Sequence, residues 1–500
     1  MSSQRLPSGG RINRGRPLEF FFNGRRYEGF EGDTLASGLL ANGIRLFGRS
    51  FKYHRPRGLF GSGSEEPNAI VQLGEGASTI PNLKATQVEL FDGLSARTVV
   101  GWPSLEIDLY AINNRIGRLL PAGFYYKTFM RPRFLWDWYE GRIRHAAGLG
   151  FAPTEPDSAR YDKRNAHCDV LVVGAGPTGL MAALVAGRSG ARVIVADEQA
   201  EMGGDLLSST QHVSGACPWM FLDNLVKELS LMDNVMLLPR STVSGYYDYN
   251  FLVINQRRTD HQAGIGDIVS RERNWRVRAR QVVLATGAIE RGLVFADNDR
   301  PGIMLSSAVR TYINRYAVRP GRTGAVFTNN DSAYQTAVEM HGAGMEVKGV
   351  IDVRQRPSQE RLLQMDALGI PVYSGHGVGG TRSSRQGLRA VELCRLSADG
   401  RDVLTQKGSL DCQVLAISGG WNPAIHLHCQ SGGRPKFDDN QACFVPDKSV
   451  QSERSAGSAL GIFQLGNCLR DGIDAGVHAV RETGYTTAHI DIPYASDRTG

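Results

Sequence analysis

The chain has 500 residues, with 41% hydrophobic and 21% charged side chains, 59 glycines and a formal net charge of +7, the composition of a globular protein of two to four domains. No run of about 18 apolar residues is present, and the N-terminus lacks the apolar core of a signal peptide, so no membrane span is expected and the cytoplasm is the expected location. The basic residues are spread rather than gathered on one module, which argues against a nucleic-acid partner, and the seven cysteines never form C-x-x-C, which argues against a zinc ribbon and fits a reducing compartment.

Residues 1–16 read as a flexible arm. Leu18 to Phe30 reads as a hairpin turning at Asn23-Gly24, the strongest short hairpin signal. Asp33 and Thr34 can cap a helix over Leu35 to Ala41 that ends near Gly43. Hairpin, helix and then a loop-rich stretch predict a β-grasp, ferredoxin-like domain over 17–104. Its loop, Arg55 to Asn68, holds no cysteine. Cluster ligation takes thiolates, so the expectation is no iron–sulfur cluster and no metal. Residues 105–165 read as an aromatic and basic connector. In it Phe124, Tyr125, Tyr126, Phe129, Phe134, Trp136, Trp138 and Tyr139 interleave with Lys127, Arg131, Arg133, Arg142 and Arg144. These residues either pack on a neighbouring domain or form a subunit interface, where aromatics and arginines are enriched.

The most informative stretch follows. Val170 to Val173 reads as a strand, Gly174-Ala175-Gly176-Pro177-Thr178-Gly179 as a turn, Leu180 to Gly187 as a helix, and Arg192 to Ala196 as a second strand ending at Asp197. The three glycines occupy G-x-G-x-x-G: one for the tight turn, one for close approach of a pyrophosphate, one for helix–strand packing. Asp197 lies 23 residues after Gly174, the spacing of an acid that binds an adenosine ribose. It is preferred over its neighbour Glu198. An acid here disfavours NADP, whose 2′-phosphate it would repel. Gln199, Gly203 and Gly204 are candidates to bring backbone near the cofactor, or form an ordinary loop. Thr242 and Val243 lie either beside the adenine or in a plain strand end. Thr286 and Gly287, after the strand Gln281 to Leu284, are expected to line the dinucleotide, and Gly466 and Asn467 to close over its middle.

The fold expected is α/β: the ferredoxin-like domain followed by a region of two dinucleotide-binding (Rossmann-like, FAD/NAD(P)-type) folds. The first covers 166–305 and resumes over 411–500, where Ser418-Gly-Gly and Gly461 to Asn467 read as strand-to-glycine turns of its sheet. The second is inserted over 306–410. It carries Thr328, Asn330 and Ala333 where a second fingerprint would stand, so it is read as having lost tight NAD(P)H binding. His426, His428 and Cys429 invite a metal reading, but no further ligand pair is near, and packing or a channel role is preferred. No catalytic side chain is legible, as befits chemistry carried by cofactors.

With these residues in hand, the chain resembles the α subunit of bacterial heterotetrameric sarcosine oxidase, or a near relative among multi-subunit amine and opine oxidoreductases, from about Gly15 to Thr487. The resemblance rests on Arg57-Gly with Glu65-Glu-Pro-Asn68, on Asp197-Glu-Gln199 with Gly203-Gly204, on Thr242 to Asp248 and on Ser418-Gly-Gly-Trp-Asn-Pro423. It implies NAD bound by this chain, FAD on a partner β subunit that oxidises a small secondary amine, FMN near the boundary with that partner, and smaller γ and δ subunits. Such α subunits continue into a folate-binding domain. This sequence ends at Gly500, truncated or without that domain, which leaves folate binding open. The missing cluster cysteines favour the sarcosine oxidase branch, while a dehydrogenase for proline, an opine or another secondary amine remains the alternative.

Overall fold

Three crossings, after Ser158, Arg291 and Gly419, divide the chain into two units: Met1–Ser158 with Gly292–Gly419, and Ala159–Arg291 with Gly420–Gly500. The computed structural model describes residues 4–117, 123, 131–262, 269–384 and 387–495.

In the first unit the hairpin forms as its turn chemistry dictates. Strands Asn13–Phe22 and Arg25–Glu31 pair antiparallel, and Asn23 (φ 51°) and Gly24 (φ 74°) both take the left-handed conformation that a two-residue primed turn needs. The sheet runs Arg25–Glu31, Asn13–Phe22, Leu94–Arg97, Ile70–Leu73, Ile80–Lys84. Thr34 caps the wholly buried helix Leu35–Ala41. Asp33 does not share that role. It pairs with Arg5 at 2.6 Å and accepts from the backbone N–H of Phe30 at 3.0 Å. This corrects the flexible-arm expectation: Leu6 N–H donates to Ala317 O and Arg11 N–H to Arg315 O, each at 2.7 Å. A buried carboxylate needs a paired cation, and Arg5 is that cation.

The same unit holds a parallel sheet in the order Ile303–Leu305, Val414–Ser418, Thr323–Thr328, Glu346–Asp352, Val372–Ser374. Beside it lies a three-stranded antiparallel sheet, His376–Ser384, Gly387–Leu396 and Val403–Asp411. Here the structure differs from the sequence reading. The strand before Ser418-Gly-Gly pairs with Ile303–Leu305 and Thr323–Thr328, so it closes the inserted fold and not the first one. Both strands are short apolar runs, and hydrophobicity alone does not say which of two sheets such a run joins.

The second unit carries the first nucleotide fold. Its sheet runs Val235–Leu238, Val193–Ala196, Tyr161–Val173, Glu272–Leu284, Phe251–Arg257, Ser241–Tyr247, with Glu453–Ser455 added alongside Glu272–Leu284. Tyr161–Val173 is polar and exposed in its first half and buried from Cys168 on, where parallel neighbours and helices cover both faces. Helix Pro177–Arg188 packs on that buried half, and helix Leu465–Glu482 packs on the first helix. The second is amphipathic, burying Leu469, Ile473, Ala475, Ala479 and Val480.

Asp169 is the polar exception in the buried run, 2% exposed. Arg192 binds both its oxygens at 3.1 Å, and Tyr485 donates to it at 3.0 Å. Those bonds, Arg192 first, hold its pKa down to about 2. A depressed carboxylate pKa gives stability that is present above the unfolded value and lost as pH falls through the folded value. Asp169→Asn is therefore expected to lower the melting temperature at pH 7 by roughly 2–4 °C, the shift of about 1 kcal/mol in a domain this size. The difference from the parent should shrink between pH 4 and 2. A pH-independent difference in calorimetric melts would contradict this.

Candidate dinucleotide site

The glycine turn sorts its three glycines by what a side chain would hit. Gly174 has φ 96°, and a Cβ there would lie 2.2 Å from Ala285 O; a Cβ at Gly179 would lie 1.9 Å from Gly174 O. These two are required by the protein's own backbone. Gly176, the N-cap of helix Pro177–Arg188, is different: a Cβ there would meet no heavy atom within 4 Å. The fold does not need a glycine at 176, but an anion seated on the helix N-terminus does. Thr178 is buried, and its neighbours are again glycines. A Cβ at Gly457 would lie 2.1 Å from Thr178 Oγ1, and one at Gly472 would lie 2.3 Å from Thr178 O.

Asp197 ends the second strand where the spacing places it, but its carboxylate is turned inward. Oδ2 accepts the Ala175 N–H at 2.6 Å and Oδ1 the Gln199 N–H at 2.8 Å. It fastens the acid loop to the glycine turn. Glu198, next in the chain, is only partly buried. Gly203 N–H donates to Ala175 O at 2.8 Å, and Gly204 stands against Gly176 Cα, so the Gly203-Gly204 pair lies beside the turn. Arg240 N–H donates to Gln199 O, and Ser241 N–H to Asp197 O. Those bonds set the strand Ser241–Tyr247, with Thr242 and Val243, next to the acid.

Thr286 and Gly287 leave the strand Glu272–Leu284 right after Ala285, the residue against Gly174. Thr286 Oγ1 donates to Ala424 O at 2.7 Å, and Gly287 presents an open backbone at φ 77°. Gly466 and Asn467 do not form the expected strand-to-glycine turn: they lie in the first turn of helix Leu465–Glu482. Gly472 touches Thr178 and Gly476 touches Ala182, so the two helices run parallel. At 1.5 Å per residue, Asn467 stands about 8 Å nearer the open end than Gly472. Sequence reasoning missed Gly457, Gly472 and Asp471. Asp471 accepts the Gly457 N–H at 2.7 Å and pairs with Arg454 at 2.8 Å. Gly472 and Gly476, four apart on one helix, were the available signal.

The other sequence candidates resolve as follows. His426, His428 and Cys429 lie on a short helix, not a strand. His428 is buried, its Nδ1 2.7 Å from Glu453 Oε1, a packing role. In the inserted fold, the turn after Thr323–Thr328 is filled by its own side chains. Asn330 Oδ1 accepts from the Ser332 N–H and hydroxyl, and Asn330 Nδ2 reaches Ser418 Oγ at 3.1 Å. At the end of the next strand Asp352 is fully buried, bound by Tyr334 OH at 2.8 Å and by Arg354 at 2.7 Å. In the ferredoxin-like domain the loop closes on Glu66, which is fully buried. Its carboxylate accepts the N–H groups of Phe60, Gly61 and Asn68 at 2.7 Å and of Ala69 at 3.1 Å. Burial pushes its pKa up and these bonds oppose the shift. Phe124, Tyr125, Tyr126, Lys127 and Phe129 lie outside the described residues. Helix Trp136–Ala147 buries no side chain, and Phe134 (83%) and Trp138 (58%) are exposed.

With this geometry in view, comparison with known proteins is specific. The chain is 45% identical to the sarcosine oxidase alpha chain of Rhizobium meliloti (strain 1021) over 485 residues, 97% of this chain and 48% of that one. It is 39% identical to the sarcosine oxidase alpha chain of Corynebacterium sp. (strain P-1), covering 97% of this chain and 46% of that one. The chain is a homologue of sarcosine oxidase alpha subunits. It spans about half the length of these curated relatives. An opine oxidase chain of Agrobacterium tumefaciens (strain Ach5) is more distant, 26% identical over 60% of this chain. Among solved structures, L-proline dehydrogenase from P. horikoshii superposes with a TM-score of 0.62 at 20% identity, over 97% of this chain and 77% of that one, a likeness of fold.

Two family matches correct the cofactor expectations. Residues 15–101 match a 2Fe-2S iron-sulfur cluster binding domain, which points to a cluster where none was expected. Residues 169–227 match an FAD dependent oxidoreductase family, which supports a flavin where NAD was expected. The cradle fits an adenine dinucleotide: the open space at Gly176, the helix N-terminus and the half-exposed acid are its donor set. The matched ferredoxin-like segment fits a cluster less well. It contains no cysteine, the first in the chain being Cys168, and its loop N–H groups are taken by Glu66. Sequence reasoning stopped at the missing cysteines; family-level likeness of the whole domain is a signal that ligand counting does not see. Among the described residues, no helix is long and apolar enough to cross a membrane.

Two substitutions separate ligand from fold. Gly179→Ala overpacks the turn and is expected to cost about 1–3 kcal/mol or more. Gly176→Val is expected to leave the melting temperature within a few degrees yet abolish nucleotide binding in equilibrium dialysis. Retained stoichiometric nucleotide in a folded Gly176→Val protein would place the site elsewhere. Glu66→Gln replaces one acceptor oxygen by a donor and orphans buried N–H groups at roughly 1–3 kcal/mol each. It is expected to lower the melting temperature and speed proteolysis within 58–69. An unchanged melt and cleavage rate would show that the loop does not depend on this carboxylate.

Proposed function

We propose that this chain is the dinucleotide-binding subunit of a multi-subunit amine oxidoreductase. Its preferred substrate is sarcosine, and the overall reaction converts sarcosine, water and oxygen to glycine, formaldehyde and hydrogen peroxide. The observation that carries the reading is 45% identity, across 97% of this chain, to an alpha chain of sarcosine oxidase, over a cradle whose middle glycine is left open. A flavin in such an enzyme supplies the two-electron oxidation of the CH–NH bond. This chain's own residues bind and orient the nucleotide. The N–H groups of Gly176, Thr178 and Gly179 face the pyrophosphate. Glu198, and not the inward-turned Asp197, offers its carboxylate to the ribose. Asp197 positions the turn through Ala175. Thr242 and Val243 border the adenine, Thr286 and Gly287 the middle, and Gly466 and Asn467 the far side.

The exposed aromatic and basic helix, with Phe134, Trp136, Trp138 and Arg133, is the surface proposed to meet a partner subunit of this oxidase. A β subunit that oxidises the amine, with smaller γ and δ subunits, completes the assembly. Desolvated aromatics and arginines carry most interface energy. An opine or proline-type amine is the second reading, favoured only by the weaker opine oxidase likeness.

The test is to denature the purified chain and identify the released nucleotide, then assay sarcosine-dependent peroxide with and without co-expressed partner subunits. A flavin or related adenine dinucleotide and activity only in the complex are expected. Peroxide from the isolated chain would defeat the subunit reading, and release of no dinucleotide would defeat the cradle.

A further inference from the structure

Two segments leave the ends of neighbouring strands of the second unit's sheet, Glu272–Leu284 and Glu453–Ser455, and meet again through Trp421 and Phe463. One is Thr286 to Glu290. Ala424 N–H donates to Gly287 O at 2.9 Å, and Ala288–Glu290 pairs with Trp421–Pro423 so that Glu290 stands opposite Trp421. The other starts at Gly457, against Thr178. Ile462 N–H donates to Gly457 O at 3.1 Å, and Phe463 follows, two residues before helix Leu465–Glu482. The Trp421 and Phe463 rings meet with centroids 6.4 Å apart and planes 33° apart. Ile289, on the first segment, and Phe463, on the second, are each 41% exposed. The adjoining Gly287 faces open space, with no heavy atom within 4 Å of a would-be Cβ. An apolar group of this size left open beside a ligand cradle is a feature of binding sites, where aromatic walls and a few polar groups converge.

We propose that Trp421 and Phe463 form the platform for the planar ring at the far end of the dinucleotide held by the Gly174–Gly179 cradle. The inference rests on the dinucleotide reading above and extends it to the reactive half of the ligand. Phe463 follows in the chain from Gly457, which packs on Thr178, and Trp421 is held by pairing to Ala288–Glu290, which follows from Ala285, the residue against Gly174. A dinucleotide whose pyrophosphate lies at Gly176 and whose ribose lies at Glu198 has its other half directed toward Gly287 and the Leu465 end of the helix, where the platform stands. Aromatic faces suit such a ring because offset stacking adds to the area buried.

The test uses the full chain freed of nucleotide and compares, by calorimetric titration, FAD with ADP, which keeps the adenine side and lacks the ring. Trp421→Ala and Phe463→Ala are expected to weaken FAD about tenfold, the size of one good aromatic contact, and to leave ADP unchanged. Trp421→Phe, which keeps a ring, should restore most of the loss. FAD should quench tryptophan fluorescence in the parent more than in Trp421→Phe. Equal loss of FAD and ADP would mean a merely structural role and overturn the proposal, as would unchanged FAD affinity in both alanine variants. If neither ligand binds the parent chain, the cradle reading falls, and the platform with it.

Discussion

The second unit is organised around a backbone packed too closely to admit side chains. Strand Tyr161–Val173 turns at Gly174 within contact of Ala285, the helix it feeds passes Gly174 at Gly179, and the C-terminal helix passes Thr178 at Gly472. Two strand ends, one helix start and the middle of a second helix are thereby fixed within one small volume. The candidate site residues are placed by that contact: the acid through Ala175, the Thr286-Gly287 turn through Ala285, and Gly466 and Asn467 through the parallel run of the two helices. Of the three fingerprint glycines, Gly176 alone faces outward with space to spare, the room that a ligand on the helix N-terminus would need.

The two nucleotide folds answer the same physical problem in opposite ways. A strand–turn–helix junction exposes N–H donors and a helix dipole that need an acceptor. At 174–179 the chain leaves the space open. At 328–333 it supplies the acceptors itself, with Thr328 Oγ1 taking the Asn330 N–H and Asn330 Oδ1 that of Ser332, and it seals the end of the following strand with the Tyr334–Asp352–Arg354 cluster. The ferredoxin-like loop uses the same device, with one buried carboxylate accepting four backbone N–H groups.

Much of this was legible in the sequence where local rules decide. Asn23-Gly24 can hardly be anything but a tight turn, and G-x-G-x-x-G marks the junction of a strand and a helix. Pairing decided at a distance was not legible. Nothing in Val414–Ser418 says that it joins Thr323–Thr328 rather than Glu272–Leu284, and Leu465–Glu482 begins at the glycine read as a turn because its apolar face shows only further along. The acid shows the same limit at the scale of one residue. Spacing chose Asp197 over Glu198, and spacing counts residues without seeing that the Asp197 carboxylate also accepts the N–H groups of Ala175 and Gln199. The ferredoxin-like family was legible from hairpin, helix and loop, whereas the missing cysteines were read as excluding a cluster, which the family match contradicts.

The central claim is that the Gly174–Gly179 turn is the dinucleotide site of this chain. The most direct measurement is the electron density of the purified protein crystallised with the nucleotide it carries. The account predicts a pyrophosphate within about 3 Å of the backbone N–H groups between Gly176 and Gly179, hydrogen-bond distance, with a ribose at Glu198. Density for a nucleotide at 328–333 with an empty turn at 174–179, or a ribose held by Asp197 after release of Ala175, would contradict it.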